Sequence, residues 1–149
     1  MSEKKEFYTL KGYQLQEPTS LTYAMEDYLE MIYRISAGAS PHIQGQHIVR
    51  IQTLAAHLNV RPSSASKMVR NLSDGGYVDF PRYGSIILTQ KGLATGAYLL
   101  HRHEVLHHFF CLLNHSEHEL EQVEKIEHFI NDTTLKNLEL LTCKLEQFP

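Results

Sequence analysis

Tryptophan is absent from this chain of 149 residues, and cysteine occurs only twice, at Cys111 and Cys143. The two thiols form no CxxC pair, which leaves neither a disulfide framework nor a zinc ribbon and suits a reducing, cytoplasmic location. Nowhere do 18 apolar residues run together, so no membrane partner is expected. Residues 1–20, MSEKKEFYTLKGYQLQEPTS, read as a polar leader without the apolar stretch of a secretory signal. Internal repeats, GxSxG elbows and phosphate-cradling glycine loops are missing too, and with them the usual sequence marks of hydrolases and nucleotide binders. Nor is there bulk basicity, since the net charge is only −3.

What the chain has is charge sorted along its length. Residues 50–92 hold six Lys/Arg against two acids, whereas residues 93–149 hold four against nine, together with seven of the ten histidines. A basic segment beside an acidic, histidine-rich one assigns phosphates to the first and cations to the second. With 42% hydrophobic residues spread throughout, the chain is a folded one, and its size allows two small units that gain stability from a second copy.

Apolar periodicity from Leu21 (Met25, Tyr28, Leu29, Ile32, Tyr33) predicts a helix that SAGASPHIQG, residues 36–45, breaks into a loop. A second helix is expected from Ile48 to Leu58. A third starts at Pro62, which suits a first turn, and buries Ala65, Met68, Val69 and Leu72 before Gly75 and Gly76 stop it. Strand-like runs at Tyr77–Phe80 and Ser85–Leu88 flank a turn with Arg82 at its tip. Thr89 then caps a long helix to about Leu113, and two more helices follow.

The segment IQTLAAHLNVRPSSASKMVRNLSDGGYVDF thus reads as a helix-turn-helix completed by a hairpin wing. Arg61, Ser63, Ser64, Lys67, Arg70 and Asn71 lie on or beside the outer face of its second helix. Short hydrogen-bonders near a helix start, with cations further on, are the residue types that meet base edges and phosphates in a major groove. Arg82 on the wing is placed to reach backbone or minor groove. The competing reading of this module is a winged helix used for protein contacts.

Asp27 and Glu30 are i, i+3 on the first helix, Glu124, Glu127 and His128 share a face in VEKIEHF, and His103 stands on the long helix between them. Carboxylates and imidazoles converging from three helices can hold a divalent first-row metal. His103 and His107, at i, i+4, also suit zinc chelation by themselves.

From Tyr23 to about Ile130, the segments MEDYLEMIY, VRPSSASKMVRNL, LTQKG, RHEVL and VEKIEH resemble the diphtheria-toxin-repressor-like family, in its manganese transport regulator branch. The resemblance implies a mainly α fold: an N-terminal winged helix-turn-helix over residues 21–92 and an all-helical metal-binding and dimerisation domain over residues 93–149. It also implies a homodimer on palindromic operator DNA, repression of manganese uptake genes, and metal ligands at Asp27, Glu30, His103, Glu124, Glu127 and His128. In the iron-responsive branch two of these positions carry sulfur ligands, where this chain has Asp27 and Glu124. An oxygen-rich set suits Mn2+, with Fe2+ as second choice, and six ligands with four carboxylates can bridge two ions per subunit.

Two other functions compete. A carboxylate-bridged di-iron oxidase needs paired Glu-x-x-His motifs, and this chain has one, Glu104 to His107. A metal-independent, small-molecule-sensing winged-helix regulator would use the acidic helices only to dimerise.

Overall fold

Helix α1, Tyr23–Gly38, starts where the Thr22 hydroxyl oxygen accepts the amide hydrogen of Met25 at 3.2 Å, which satisfies one donor of the open first turn. The structure, a computed structural model, describes residues 6, 8–9, 21–38, 48–81 and 84–147. Arg82, much of the leader and most of the expected 36–45 loop lie outside these. The helix runs on through Ser36 to Gly38, past the expected break. Its inner stripe of Met25, Leu29 and Ile32 is buried, and Glu30 is buried with it.

Val49–Arg50 forms strand β1, followed by helix α2, Ile51–Leu58. The expected helix start at Ile48 is therefore corrected. Val49 pairs with Ile86 and Arg50 with Ser85, and a two-residue strand is too short to show an alternating pattern in sequence. Asn59, in the left-handed region at φ 54°, closes α2, and helix α3, Pro62–Asp74, crosses it over Leu54, Ala55, Ala65, Val69 and Leu72. Strands β2, Val78–Asp79, and β3, Ser85–Leu88, complete an antiparallel sheet of order β1-β3-β2, so the wing has three strands where two were expected.

Thr89 caps helix α4, Gln90–Asn114, by accepting the Gly92 amide hydrogen at 3.1 Å. The glycine in the first turn is required: a Cβ on Gly92 would fall onto the Tyr77 carbonyl oxygen and meet Leu88 Cδ2 at 3.1 Å. Helix α5, Leu120–Ile126, tightens into a 3-10 turn, Glu127–Phe129, before helix α6, Asp132–Glu146.

Two apolar cores result. One gathers α1, the sheet, α2 and α3 around Leu29, Ile32, Leu54, Leu72 and Ile86. The other gathers Val105, Leu106, Val123 and Leu135, and Tyr98 on α4 packs against both. Residue 92 thus falls inside a helix that joins the two cores. Among the described residues no helix is long and apolar enough to cross a membrane.

Candidate metal centre and nucleic-acid interface

The expected donors come together where α1 meets α4, α5 and the 3-10 turn. Asp27 and Glu30 project from α1, His103 from α4, Glu124 from α5, and Glu127 and His128 from the turn. Glu124, Glu127 and His128 do not share one α-helix, as their spacing suggested. The helix tightens after Ile126 because the chain must reach extended Ile130 and start α6 at the Asn131 cap. That tightening leaves Glu127 only 2% exposed.

Glu127 is the centre of the arrangement. Its Oε2 lies 2.8 Å from His103 Nδ1, and its Oε1 lies 3.9 Å from His128 Nε2. His103 Nδ1 is also 3.6 Å from Glu124, and His128 Nε2 is 3.1 Å from Asp27. Two groups of donors with mutually close ligand atoms follow: Asp27, Glu127 and His128, and Glu30, His103 and Glu127. Both contain Glu127.

The electrostatics report a cluster short of positive charge. Burial pushes the Glu30 carboxyl up to about 7, aided by Glu127 and Glu124 and opposed by Arg34, whose guanidinium sits 3.4 Å away. Burial and the neighbouring Glu127 likewise raise Glu124. His103 is raised chiefly by its hydrogen bond to Glu127. At His128 burial acts downward, yet the hydrogen bonds to Asp27 and Glu26 outweigh it and hold the imidazole at about 9. All four shifts run in the same direction, toward keeping a proton. Oxygen-rich donors with two imidazoles, one carboxylate fully buried and shared, fit a hard divalent cation.

Sequence reasoning missed two charged neighbours of this cluster. Glu26 Oε1 accepts from His128 Nδ1 at 2.9 Å, and Arg102 reaches Glu26 at 3.4 Å. Each sits beside an expected ligand in the chain, but nothing in a sequence tells that Arg102 is buried and Glu26 largely covered. The other histidines of α4 are engaged elsewhere: His101 with Glu139, His108 with Glu146, and His107 with Cys111 at 3.8 Å. His103 points at Glu127 rather than pairing with His107 around a shared position.

In the N-terminal unit, Arg61, Ser63, Ser64, Lys67, Arg70 and Asn71 are all exposed on or next to α3. Pro62 in the first turn leaves that helix start open, and Ala65, Val69 and Leu72 on the inner face fix which side chains face out. Arg50 on β1 donates to the Ser85 hydroxyl at 2.9 Å and ties the wing root together.

Comparison with known proteins bears on the family and the fold. Residues 20–86 match the iron dependent repressor family's N-terminal DNA binding domain. The chain is 36% identical over 111 residues to the HTH-type transcriptional regulator MntR of Oceanobacillus iheyensis, covering 74% of this chain and 71% of that protein. It is 33% identical over 129 residues to the protein of the same name from Lysinibacillus sphaericus, covering 86% and 88%. Among solved structures, the metal-dependent transcriptional regulator MtsR aligns with a TM-score of 0.66 at 26% identity, over 87% of this chain and 56% of that one. A manganese-dependent transcriptional repressor in complex with manganese aligns at 0.64 and 27%, over 84% and 53%. The chain thus spans little more than half the length of these solved structures.

Proposed function

Since the chain belongs to the diphtheria-toxin-repressor-like family of metal-dependent transcriptional regulators, in its manganese transport regulator branch, we propose that it represses manganese uptake genes by binding palindromic operator DNA when loaded with Mn2+. The observation that carries this reading is the meeting of Asp27, Glu30, His103 and His128 from α1, α4 and the 3-10 turn around the buried, shared Glu127, with Glu124 of α5 outside both donor groups but 3.6 Å from His103. The relatives are named transcriptional regulators, and the chain is not an enzyme. Cytoplasmic residence follows from that role.

Asp27, Glu30, His103, Glu124, Glu127 and His128 would hold the metal, and the two donor groups, Asp27-Glu127-His128 and Glu30-His103-Glu127, would each suit an ion, which allows up to two per subunit. A divalent cation supplies there the positive charge that four carboxylates in one cluster lack. The oxygen-rich set favours Mn2+, with Fe2+ second, and because Mn2+ binds most weakly in the usual affinity order, selection rests on coordination geometry and supply.

Residues 21–92 form the DNA-binding unit and residues 93–149 the metal-binding and dimerisation unit. Asp27 and Glu30 ride on α1, which packs against α2 and α3, whereas Glu124, Glu127 and His128 ride on the C-terminal helices. Without metal, the protons on Glu30 and His128 and the Arg34 guanidinium offset these carboxylates, and as those protons leave, the carboxylates repel and loosen α1 from the turn. Neutralised, they hold α1, and with it α3, at one spacing. Arg61, Ser63, Ser64, Lys67, Arg70 and Arg82 then meet DNA. Leu140, Leu141 and Leu145 on α6 and Leu113 on α4 are exposed, and a second copy of the chain covers them in a two-fold dimer. Two recognition helices related by that axis read the two halves of a palindrome.

Selection from a pool of random duplex DNA, in parallel with Mn2+ and with EDTA, tests the function and yields the operator sequence at the same time. An inverted repeat enriched with Mn2+ alone is the expected result. Equal enrichment in both arms selects the metal-independent regulator instead, and no enrichment in either refutes DNA binding.

A further inference from the structure

Behind the donor set lies a second layer of charge that spans three segments of the fold. Glu26 on α1, Arg102 on α4 and His128 in the 3-10 turn touch one another with side chains 15%, 7% and 9% exposed. The His128 ring has two polar neighbours on its Nδ1 side: Glu26 Oε1 at 2.9 Å and Arg102 Nη2 at 3.4 Å. An ionised carboxylate only accepts and a guanidinium only donates, so both cannot bond the same nitrogen at once. The carboxylate is closer, and a charge-assisted bond of this length is the stronger of the two. Nδ1 therefore carries a hydrogen and donates it to Glu26. The opposite nitrogen, Nε2, then faces Asp27 at 3.1 Å and Glu127 at 3.9 Å, the side on which the donors gather. The Tyr23 ring stacks on the imidazole at 5.2 Å and an interplanar angle of 27°, which limits its rotation.

We infer that Glu26 and Arg102 are positioning residues for the metal centre, Glu26 fixing the His128 ring so that Nε2 is offered to the ion and Arg102 holding the Glu26 carboxylate in place. This rests on the proposed metal-binding role of His128. Ligating histidines in general owe their ring orientation to a partner on the other nitrogen, and losing that partner costs about 10- to 100-fold in metal affinity. Here the cost is confined to one half of the centre. Glu26 supports the group Asp27, Glu127 and His128, whereas the group Glu30, His103 and Glu127 is built around the separate bond from His103 to Glu127. The arrangement also ties α1 to α4 and to the turn through one guanidinium.

The test has two readouts on the full chain. In the metal-free protein, nitrogen-edited NMR should show the His128 Nδ1–H as a downfield, slowly exchanging signal that Glu26→Ala abolishes. In calorimetric titration with Mn2+, Glu26→Ala should lose about 10- to 100-fold in affinity for one ion and leave the other within error. Glu26→Gln, whose amide oxygen still accepts, should keep the NMR signal and recover most of the affinity, which separates positioning from simple misfolding. Arg102→Lys should fall between the two. An unchanged Nδ1–H signal in Glu26→Ala, or Mn2+ affinity equal to wild type, overturns the assignment. A wild type that shows the signal but takes up no Mn2+ overturns the proposed function and, with it, the metal half of this inference.

Discussion

Replacing Gly92 with alanine poses two opposed effects at one atom. In most helices the change gains about 1 kcal/mol, because glycine loses more backbone freedom on folding. At Gly92 the new methyl would fall onto the Tyr77 carbonyl oxygen, close to Tyr77 C at 3.0 Å and Leu88 Cδ2 at 3.1 Å. The carbonyl cannot swing away. Tyr77 O is held as acceptor by the Thr89 amide at 3.1 Å and the Thr89 hydroxyl at 3.0 Å, and the buried Leu88 methyl beside it has little room to yield. Overpacking against backbone costs about 3 kcal/mol, and a displaced carbonyl forfeits a further hydrogen bond of about 1 kcal/mol. The clash wins by about 3 kcal/mol, and for a domain of this size that lowers the melting temperature by about 6–12 °C. Gly38 supplies the control, since nothing lies within 4 Å of its would-be Cβ, and Gly38→Ala should hold or slightly raise the melting temperature. Scanning calorimetry of both variants against wild type decides the matter. A Gly92→Ala protein as stable as wild type would refute the claimed close approach of α4 to the wing root.

Three further outcomes are expected. Glu30, raised to about 7 by burial, and His128, held at about 9 by Asp27 and Glu26 against the pull of burial, both bind protons more tightly folded than unfolded. Stability of the metal-free protein should therefore fall as pH rises from about 4.5 to about 7 through Glu30 and from about 6.5 to about 9 through His128. The increment given by Mn2+ should grow over the same window, because ligation needs those protons gone, and melting curves with and without Mn2+ at several pH values check both signs. Lys67→Ala and Arg70→Ala should each weaken DNA binding and lower the salt slope by about 1 for each lost phosphate contact, with Mn2+ affinity measured by calorimetry unchanged. Sedimentation should give a dimer at micromolar concentration, and Leu141→Asp, on the exposed face of α6, should shift it toward monomer.

Much of this architecture was legible in the sequence, and the rest has identifiable physical reasons for being hidden. Helices α1, α3 and α4 announced themselves by apolar spacing and by Pro62, Thr89 and the Gly75-Gly76 stop. Strand β1 did not, because two residues cannot display a period and Val49 pairs with Ile86, far along the chain. The spacing of Glu124, Glu127 and His128 suggested one helical face. The residues do meet, but through a 3-10 turn forced by the approach to α6, and that turn is what buries Glu127. Glu26 and Arg102 stayed invisible for a different reason. A charged residue beside a ligand reads as solvated surface until tertiary packing closes over it, and only the fold brings positions 26, 102 and 128 together.

In the proposed function, metal held between α1 and the C-terminal helices licenses DNA binding. Asp27 is the residue to change, because its carboxylate is half-exposed, belongs to α1, and contacts His128 Nε2 across the junction at 3.1 Å. Fluorescence anisotropy on the selected DNA, with and without Mn2+, gives the coupling for wild type and for Asp27→Ala. Wild type should gain about 5- to 150-fold in affinity on adding Mn2+, the span of typical coupling energies of about 1–3 kcal/mol, and the variant should gain little. An Asp27→Ala protein that keeps the full Mn2+-stimulated gain would contradict the account.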